Sequence, residues 1–415
     1  MAHQPSSPGP EAAPENGAAT AEPPRPAPPE RRGSGFVNFF ANILGSKNPI
    51  ALPADPHKNT VWLLDSTAYQ PVADAPAPDH TDPTPWQAEL VACIFETEGR
   101  KDVGKLIAAI ADHIGLDGEL GGADDETRQR MVKRVQPFLD HVSPGRTLTL
   151  EIPIDGKTQT VTLGPSDRNG IISQTVNLEA SDIEDGAAIH PQIKDFSTEA
   201  AGAGMGFAAP EGWLVVSDID DTIKHTMTPE PSGILRTTFA EEPVAIPGMP
   251  EFYRHVHDEL NPAWFYVSAS PYNLYPFLHD FLHAHYHPGT LILRDYSWMD
   301  ITGLMRSFTE RTHEYKVDRL EKIRRWFPRR RVLCVGDSTQ SDPEAYADMY
   351  QRYPGWIHAI VIRKVTDAVH MEEKNKRERF ERAFKDVPAH VWKVFEDPGE
   401  LYDFADGLGM EDEAL

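Results

Sequence analysis

The sequence predicts an α/β protein: a parallel sheet in its second half, preceded by a smaller α+β domain and a disordered N-terminal arm. Two observations predict the sheet. Short apolar runs recur at Leu214-Val215-Val216, Trp264-Phe265-Tyr266-Val267, Val332-Leu333-Cys334-Val335, and Ile357 with Ala359 to Ile362. Helical patterns fill 249–260, 272–286 and 316–326 between them. Strands buried on both faces and alternating with helices build parallel sheets. A third observation concerns placement. The first three runs end in polar residues, and carboxyl ends of strands are where open α/β sheets keep their sites.

Composition bounds the rest. The chain has 415 residues, 40 Lys+Arg, 64 Asp+Glu and two cysteines, enough length for two or three domains. Cys93 and Cys334 cannot form a disulfide framework, and no secretory apolar region opens the chain. A reducing, cytoplasmic setting is the expectation. No stretch reaches the ~18 uncharged apolar residues of a transmembrane helix. A formal net charge of -24 argues against general nucleic-acid binding, because phosphate repels it at long range. Anionic substrates stay open, since a local site can be positive.

Along the chain four segments separate: a proline-rich arm at 1–35, an α+β domain at 36–190, the parallel α/β domain at 191–400 and an acidic tail at 401–415. Nine of the first thirty residues are proline, and such a segment buries too little apolar area to offset its ordering entropy. Pro26-Ala27-Pro28-Pro29-Glu30-Arg31 is a PxxP core followed by Arg, the pattern of an SH3-groove ligand; the alternative is a solvated tail. Residues 36, 37, 40, 43 and 44 share a helical face that can pack on the following domain or lie in a membrane interface. Residues 84–116 and 125–142 read as helices, because Leu90, Val91, Ile94 and then Val103, Leu106, Ile107, Ile110 recur at helical spacing. Arg146 to Leu163 reads as a hairpin turning at Asp155-Gly156, and 170–178 as a further strand. No catalytic constellation lies in 36–190.

The chemistry concentrates in the second half. The first apolar run leads into Ser217-Asp218-Ile219-Asp220-Asp221-Thr222, three acids in four positions. Like charges this close raise one another's pKa unless a cation joins them; the alternative is a solvated acidic turn. Ser268 closes the second run, where its hydroxyl and the next amides can grip an oxyanion. Lys316 opens a helix. Gly336-Asp337-Ser338-Thr339-Gln340-Ser341-Asp342 closes the third run with a glycine turn and two more acids.

Strand–DxDxT, strand–Ser, Lys and strand–GDxxxxD, in that order, resemble the motif set of the haloacid dehalogenase-like phosphohydrolases. The resemblance implies a Rossmannoid sheet with Asp218 as nucleophile, forming an aspartyl-phosphate. It implies Asp220 as general acid and base, with Thr222 positioning it. Mg²⁺ is the implied cofactor, held by the Asp218 side chain, the Asp220 carbonyl and Asp337, with Asp342 behind or in alternation. Ser268 and Lys316 would hold the phosphoryl oxygens, and Asp221 is expected to be structural. The gaps from Thr222 to Trp264 and from Ser268 to Lys316 are short for a cap domain in this superfamily. A minimal cap suits bulky substrates such as lipids or proteins.

Longer strings narrow the resemblance. They are Val61 to Tyr69, Leu163 to Ser166, Ser217 to Thr226, Tyr266 to Leu278, Tyr315-Lys316 and Gly336 to Tyr346. Together they resemble the fungal actin-patch-associated phosphatidate phosphatases over roughly residues 36–400. That resemblance implies Mg²⁺-dependent conversion of phosphatidate to diacylglycerol, peripheral association with cortical actin patches and endocytosis, and SH3 partners. An SH3-docking adaptor, or a phosphatase of another lipid or protein, is the alternative. In the family, partner-binding segments tend to follow the catalytic domain; here the proline-rich arm precedes it.

Two basic stretches suggest membrane contact. Arg324 to Arg331 carries five arginines and two aromatics, and Lys374 to Lys385 six basic and two acidic residues. Either can meet an anionic leaflet at about 1 kcal/mol per basic residue, or can be a solvated face over packed aromatics. His279, His283 and His287 share a helical face, yet no nearby Cys or acid completes a zinc set.

Overall fold

The computed structural model describes residues 51–72, 84–97, 103–115, 125–181, 183–197, 203–295 and 312–413. The proline-rich arm, Pro26–Arg31 and the stripe at 36–44 lie outside them.

The first half holds β1 (Leu52–Pro53), β2 (Asn59–Leu63), β3 (Ser66–Tyr69), β4 (Trp86–Glu96), α1 (Gly104–His113) and α2 (Asp125–Leu139). It continues with β5 (Arg146–Ile154), β6 (Lys157–Leu163), β7 (Ile171–Leu178), β8 (Ala188–Ile189), β9 (Gln192–Ile193) and β10 (Met205–Ala208). One sheet runs β1-β5-β6 with β9 on β5; the other runs β2-β4-β3-β10-β8 with β7 on β4. Leu148, Leu150, Ile152 and Ile154 of β5 alternate inward and meet Val61, Leu63, Trp86 and Leu90 between the sheets. The hairpin turns at Asp155-Gly156, both with positive φ, as expected.

The helix expected over 84–116 is not one element. Its first part is the strand β4, paired with β2, β3 and β7. Trp86, Ala88, Leu90, Ala92 and Ile94 are buried in alternation. Leu90, Val91 and Ile94 therefore satisfied a period of 3.6 by accident, because both faces of this strand carry apolar residues. The strands Gln192–Ile193 and Met205–Ala208 pair within the first-half sheets, so that unit's pairing runs past residue 190.

The second half builds β11 (Trp213–Asp218), the short helix α3 (Pro231–Leu235), α4 (Met249–Leu260), β12 (Ala263–Pro271), α5 (Tyr275–His285), β13 (Thr290–Arg294), α6 (Thr312–Trp326) and β14 (Arg331–Asp337). It ends with α7 (Asp342–Arg352), β15 (Ile357–Arg363), α8 (Arg377–Ala383), β16 (Trp392–Phe395) and α9 (Tyr402–Glu413). The six strands form one parallel sheet, ordered β13-β12-β11-β14-β15-β16. Trp213 and Val215 face one layer with α4, α5 and α9; Leu214 and Val216 face the other with α6, α7 and α8. The first half's α1 and α2 join the former layer through Ile107, Ile110, Met131, Val135 and Phe138. Helix α4 begins after Gly248 (φ 80°) with Pro250 in its first turn and stops at Asn261 in the left-handed region.

The chain steps outward from β11 through β12 to β13, then returns to β14 on the other side. The carboxyl ends of β11 and β14 thus flank the switch point, where such sheets open a crevice. Between β11 and β12 lie only loops, α3, a π turn at Arg236–Ala240 and α4. The strands β13 and β16 were absent from the sequence reading. The stretch expected to be an acidic tail, 401–415, is instead the helix α9 from Tyr402 to Glu413. Leu401, Ala405 and Leu408 recur at helical spacing among its acids and are buried against α4, where Asp406 meets His255 at 2.6 Å. No described helix is long and apolar enough to cross a membrane.

Candidate active site

Strand β11 is apolar up to its last two residues, and its end delivers Asp218 into the crevice, 2% exposed. Lys316, in the first half of α6, places its ammonium 3.0 Å from Asp218 Oδ1 and in contact with Asp342 Oδ1. The Thr222 hydroxyl lies between two carboxylates, 3.0 Å from Asp218 Oδ2 and 3.1 Å from Asp337 Oδ2. The expectation that Thr222 positions Asp220 is therefore corrected: its side chain bridges β11 to β14.

Asp337 ends β14, fully buried, and accepts from the Thr339 amide. Asp342, at the start of α7, accepts from the Asp337 amide at 3.1 Å. Gly336 makes this approach possible. A Cβ there would lie 2.6 Å from Asp342 Cβ and 2.8 Å from the Tyr346 ring.

Asp220 sits in its own cradle. Its carboxylate accepts from Thr226 Oγ1 at 2.9 Å and Ser268 Oγ at 2.7 Å, and Lys224 Nζ lies 3.4 Å away. Ser268 was expected to face the phosphoryl oxygens; here its hydroxyl donates to Asp220 and accepts from the Ser270 amide. Asp221 adopts φ 60°, a strained conformation that Asp tolerates. Three amides, of Thr226, Met227 and Thr228, and the Thr228 hydroxyl donate to its carboxylate. Asp221 thus ties the loop to itself, the structural part expected of it.

The sequence reading assigned no part to Lys224, Thr226, Ser270 or Arg363. Arg363, at the end of β15, donates to the Asp221 carbonyl at 2.8 Å. Lys224 and Thr226 follow the DxDxT string directly, and an uncompensated acid run was the signal that a buried cation must be near.

The site is over-supplied with negative charge. Burial raises the Asp218 carboxyl well above the usual range, and Asp342, Asp337 and Asp220 add to this while Lys316 opposes it. Burial first, then Asp342, pushes Asp337 up to about 6. Lys316 goes up despite burial, because Asp218, Asp342 and Asp337 favour its cation. Carboxylate oxygens of Asp218, Asp337 and Asp342 lie within 4.8 Å of one another. An all-oxygen set with repelling charges fits a hard divalent cation such as Mg²⁺, whose binding would relieve that repulsion. The Asp220 carboxylate is outside this set.

The basic stretches are in part committed inward. Arg330 is 1% exposed and donates to the carbonyls of Ala209 and Trp213, both at 2.7 Å, while Phe327 is in the core. Arg379 donates to the Ser338 carbonyl at 2.6 Å and Lys374 to that of Thr339, so both grip the loop that carries Asp342. Phe380 and Phe384 are buried. Arg325, Arg329, Lys376, Arg377, Arg382 and Lys385 remain exposed.

The sheet and its carboxylate–lysine centre define a class: an α/β domain with an acid-walled site at the switch point of a parallel sheet. Residues 213–364 match the family model described as the catalytic domain of phosphatidate phosphatase APP1. Phosphatidate phosphatase APP1 of Saccharomyces cerevisiae is 30% identical over 198 residues, which cover 47% of this chain and 30% of the yeast protein. An uncharacterised protein of Schizosaccharomyces pombe is 30% identical over 159 residues, or 37% of this chain and 25% of its own length. These matches therefore span at most 30% of either relative. Within the class, the likeness of residues 213–364 is to the APP1 catalytic domain.

Proposed function

We propose that the second half hydrolyses phosphatidate to diacylglycerol and phosphate. The observation that carries the reading is the buried Asp218–Lys316–Asp337–Asp342 cluster at the ends of β11 and β14, within the segment matched to the APP1 catalytic domain. The strand order, the three strand-borne motifs and Lys316 on α6 support a haloacid dehalogenase-like assignment of the sheet.

A phosphate monoester is attacked well by a nucleophile already ionised at neutral pH. An Asp218 oxygen bonds to phosphorus as the ester oxygen leaves with its electron pair. Asp220 gives that oxygen its proton. Water then attacks the aspartyl-phosphate, Asp220 takes the water's proton, and the phosphorus–oxygen bond to Asp218 breaks to restore the carboxylate. Lys316 favours the ionised form of Asp218 against burial and its acidic neighbours, repulsion that a bound cation would relieve further, and offsets charge on the phosphoryl oxygens. The Ser268 hydroxyl, on Asp220, fixes that carboxylate and can turn a donor toward phosphate. Asp218, Asp337 and Asp342 would hold Mg²⁺, which would neutralise the transferring group. The absence of a cap domain between β11 and β12 suits a substrate presented in a bilayer.

The test is phosphate release from phosphatidate in mixed micelles, with Mg²⁺ or EDTA, for wild type and Asp218→Glu. Release that needs both Mg²⁺ and Asp218 is expected. A folded wild type that releases no phosphate removes the substrate claim. For location, we propose peripheral association at cortical actin patches, with Pro26–Arg31 as an SH3 ligand. This rests on the family resemblance and on the PxxP-Arg pattern. Unchanged localisation after deletion of residues 1–35 would sink the docking part.

A further inference from the structure

Outside the acidic centre, the described residues bring a second set of metal-type ligands together. The turn between β2 and β3 carries Asp65, and α5 carries His279 and His283 one helical turn apart. The sequence reading found no acid to complete the histidine set; the fold supplies Asp65 from the first half. Asp65 Oδ2 lies 3.3 Å from His279 Nε2 and 3.7 Å from His283 Nε2. The two imidazoles stack, centroids 4.1 Å apart and planes 29° apart, so both rings aim at the same oxygen.

These separations discriminate between occupants. A charge-assisted hydrogen bond between imidazole and carboxylate brings nitrogen and oxygen to about 2.7–2.9 Å. Ligands about 2.0–2.1 Å from a tetrahedral zinc stand about 3.3 Å from one another. The observed pair distances sit at and above that second value.

The surroundings orient the set. The Gly204 amide donates to Asp65 Oδ1 at 2.7 Å, which leaves Oδ2 turned to the histidines. The Asp65 amide donates to the Tyr275 hydroxyl at 3.1 Å, fixing the turn against α5. Asp65 and His283 also line a cavity of about 350 Å³, so a fourth position opens onto space rather than protein.

We propose that Asp65, His279 and His283 bind a divalent transition metal, with Zn²⁺ the best fit to a mixed imidazole–carboxylate set. The metal would pin the first half to α5 of the catalytic half and leave one coordination position to water or a small ligand.

The test uses the full chain, purified without a polyhistidine tag, stripped with EDTA and titrated with Co²⁺. Four-coordinate cobalt absorbs visible light far more strongly than cobalt in an octahedral oxygen site. A strong band saturating at one equivalent is expected, and Zn²⁺ should displace it. His283→Ala, at a half-exposed position, should lose the band or weaken binding at least about tenfold. Asp337→Asn, which alters only the acidic centre, should keep it. His283→Gln serves as a second variant, and far-ultraviolet circular dichroism confirms the fold of each. A wild type with no strong band, or a band that survives in both His283 variants, overturns the proposal.

Discussion

Asp337→Asn separates what the acidic centre costs the fold from what it gives to chemistry. In the metal-free protein Asp337 is held at about 6, by burial first and by Asp342 next. An unfolded aspartate titrates near about 3.9. The folded state therefore holds this proton more tightly than the unfolded chain does. Stability linked to Asp337 is highest below about pH 4 and declines as pH rises toward 6. Two units at about 1.4 kcal/mol each amount to roughly 3 kcal/mol of strain above pH 6. Asparagine removes that charge. It keeps an acceptor for the Thr339 amide but loses the one for Thr222, a loss of about 1 kcal/mol. The net expectation is a gain of about 2 kcal/mol at pH 8 in EDTA, vanishing or slightly reversing by pH 4. Urea unfolding of both proteins at the two pH values measures it. With saturating Mg²⁺ the order should invert, because only the wild type gains its full binding energy, and the variant should release no phosphate. An Asp337→Asn protein less stable than wild type at pH 8 in EDTA, or a difference equal at both pH values, would refute the electrostatic account.

Two further outcomes follow from the same geometry. Asp220→Asn should slow phosphate release by at least a factor of about 100, the usual worth of general acid–base catalysis, and should also lower the melting temperature, because the buried Lys224 ammonium loses its carboxylate; normal turnover would remove Asp220 from the mechanism. Gly336→Ala should cost about 1–3 kcal/mol in urea unfolding, because its methyl would meet Asp342 and Tyr346. Activity should fall further than stability predicts, since the displaced side chain belongs to the centre; a variant fully active at 25 °C would contradict this.

Much of the site was legible because its residues end strands. A buried apolar run that stops in acids announces both the strand and the place where the acids go. Asp218 and Asp337 meet for that reason, and Lys316 on α6 and Asp342 at the start of α7 join them from helices. The direction of a hydroxyl proton was not legible. Whether Thr222 serves Asp220 or bridges Asp218 to Asp337 depends on how close β14 comes, which no local pattern encodes. Strand β4 failed for a related reason. With apolar side chains on both faces, its pattern fits two periods, and its three partner strands decide. Asp65 was invisible as a partner of His279 because only the docking of the two halves brings them together. The short strands β13 and β16 carry too few residues to show a period at all.

The grip of Lys374 and Arg379 on the loop from Ser338 to Gln340 bears on how this protein can be divided. The family match stops at residue 364, ahead of both cations and of β16. A fragment cut there would bare the long edge of β15 and release three loop carbonyls beside Asp342. The family-model match and mechanical completeness thus end at different residues, and a piece able to hold the loop beside Asp342 and cover the edge of β15 extends through β16.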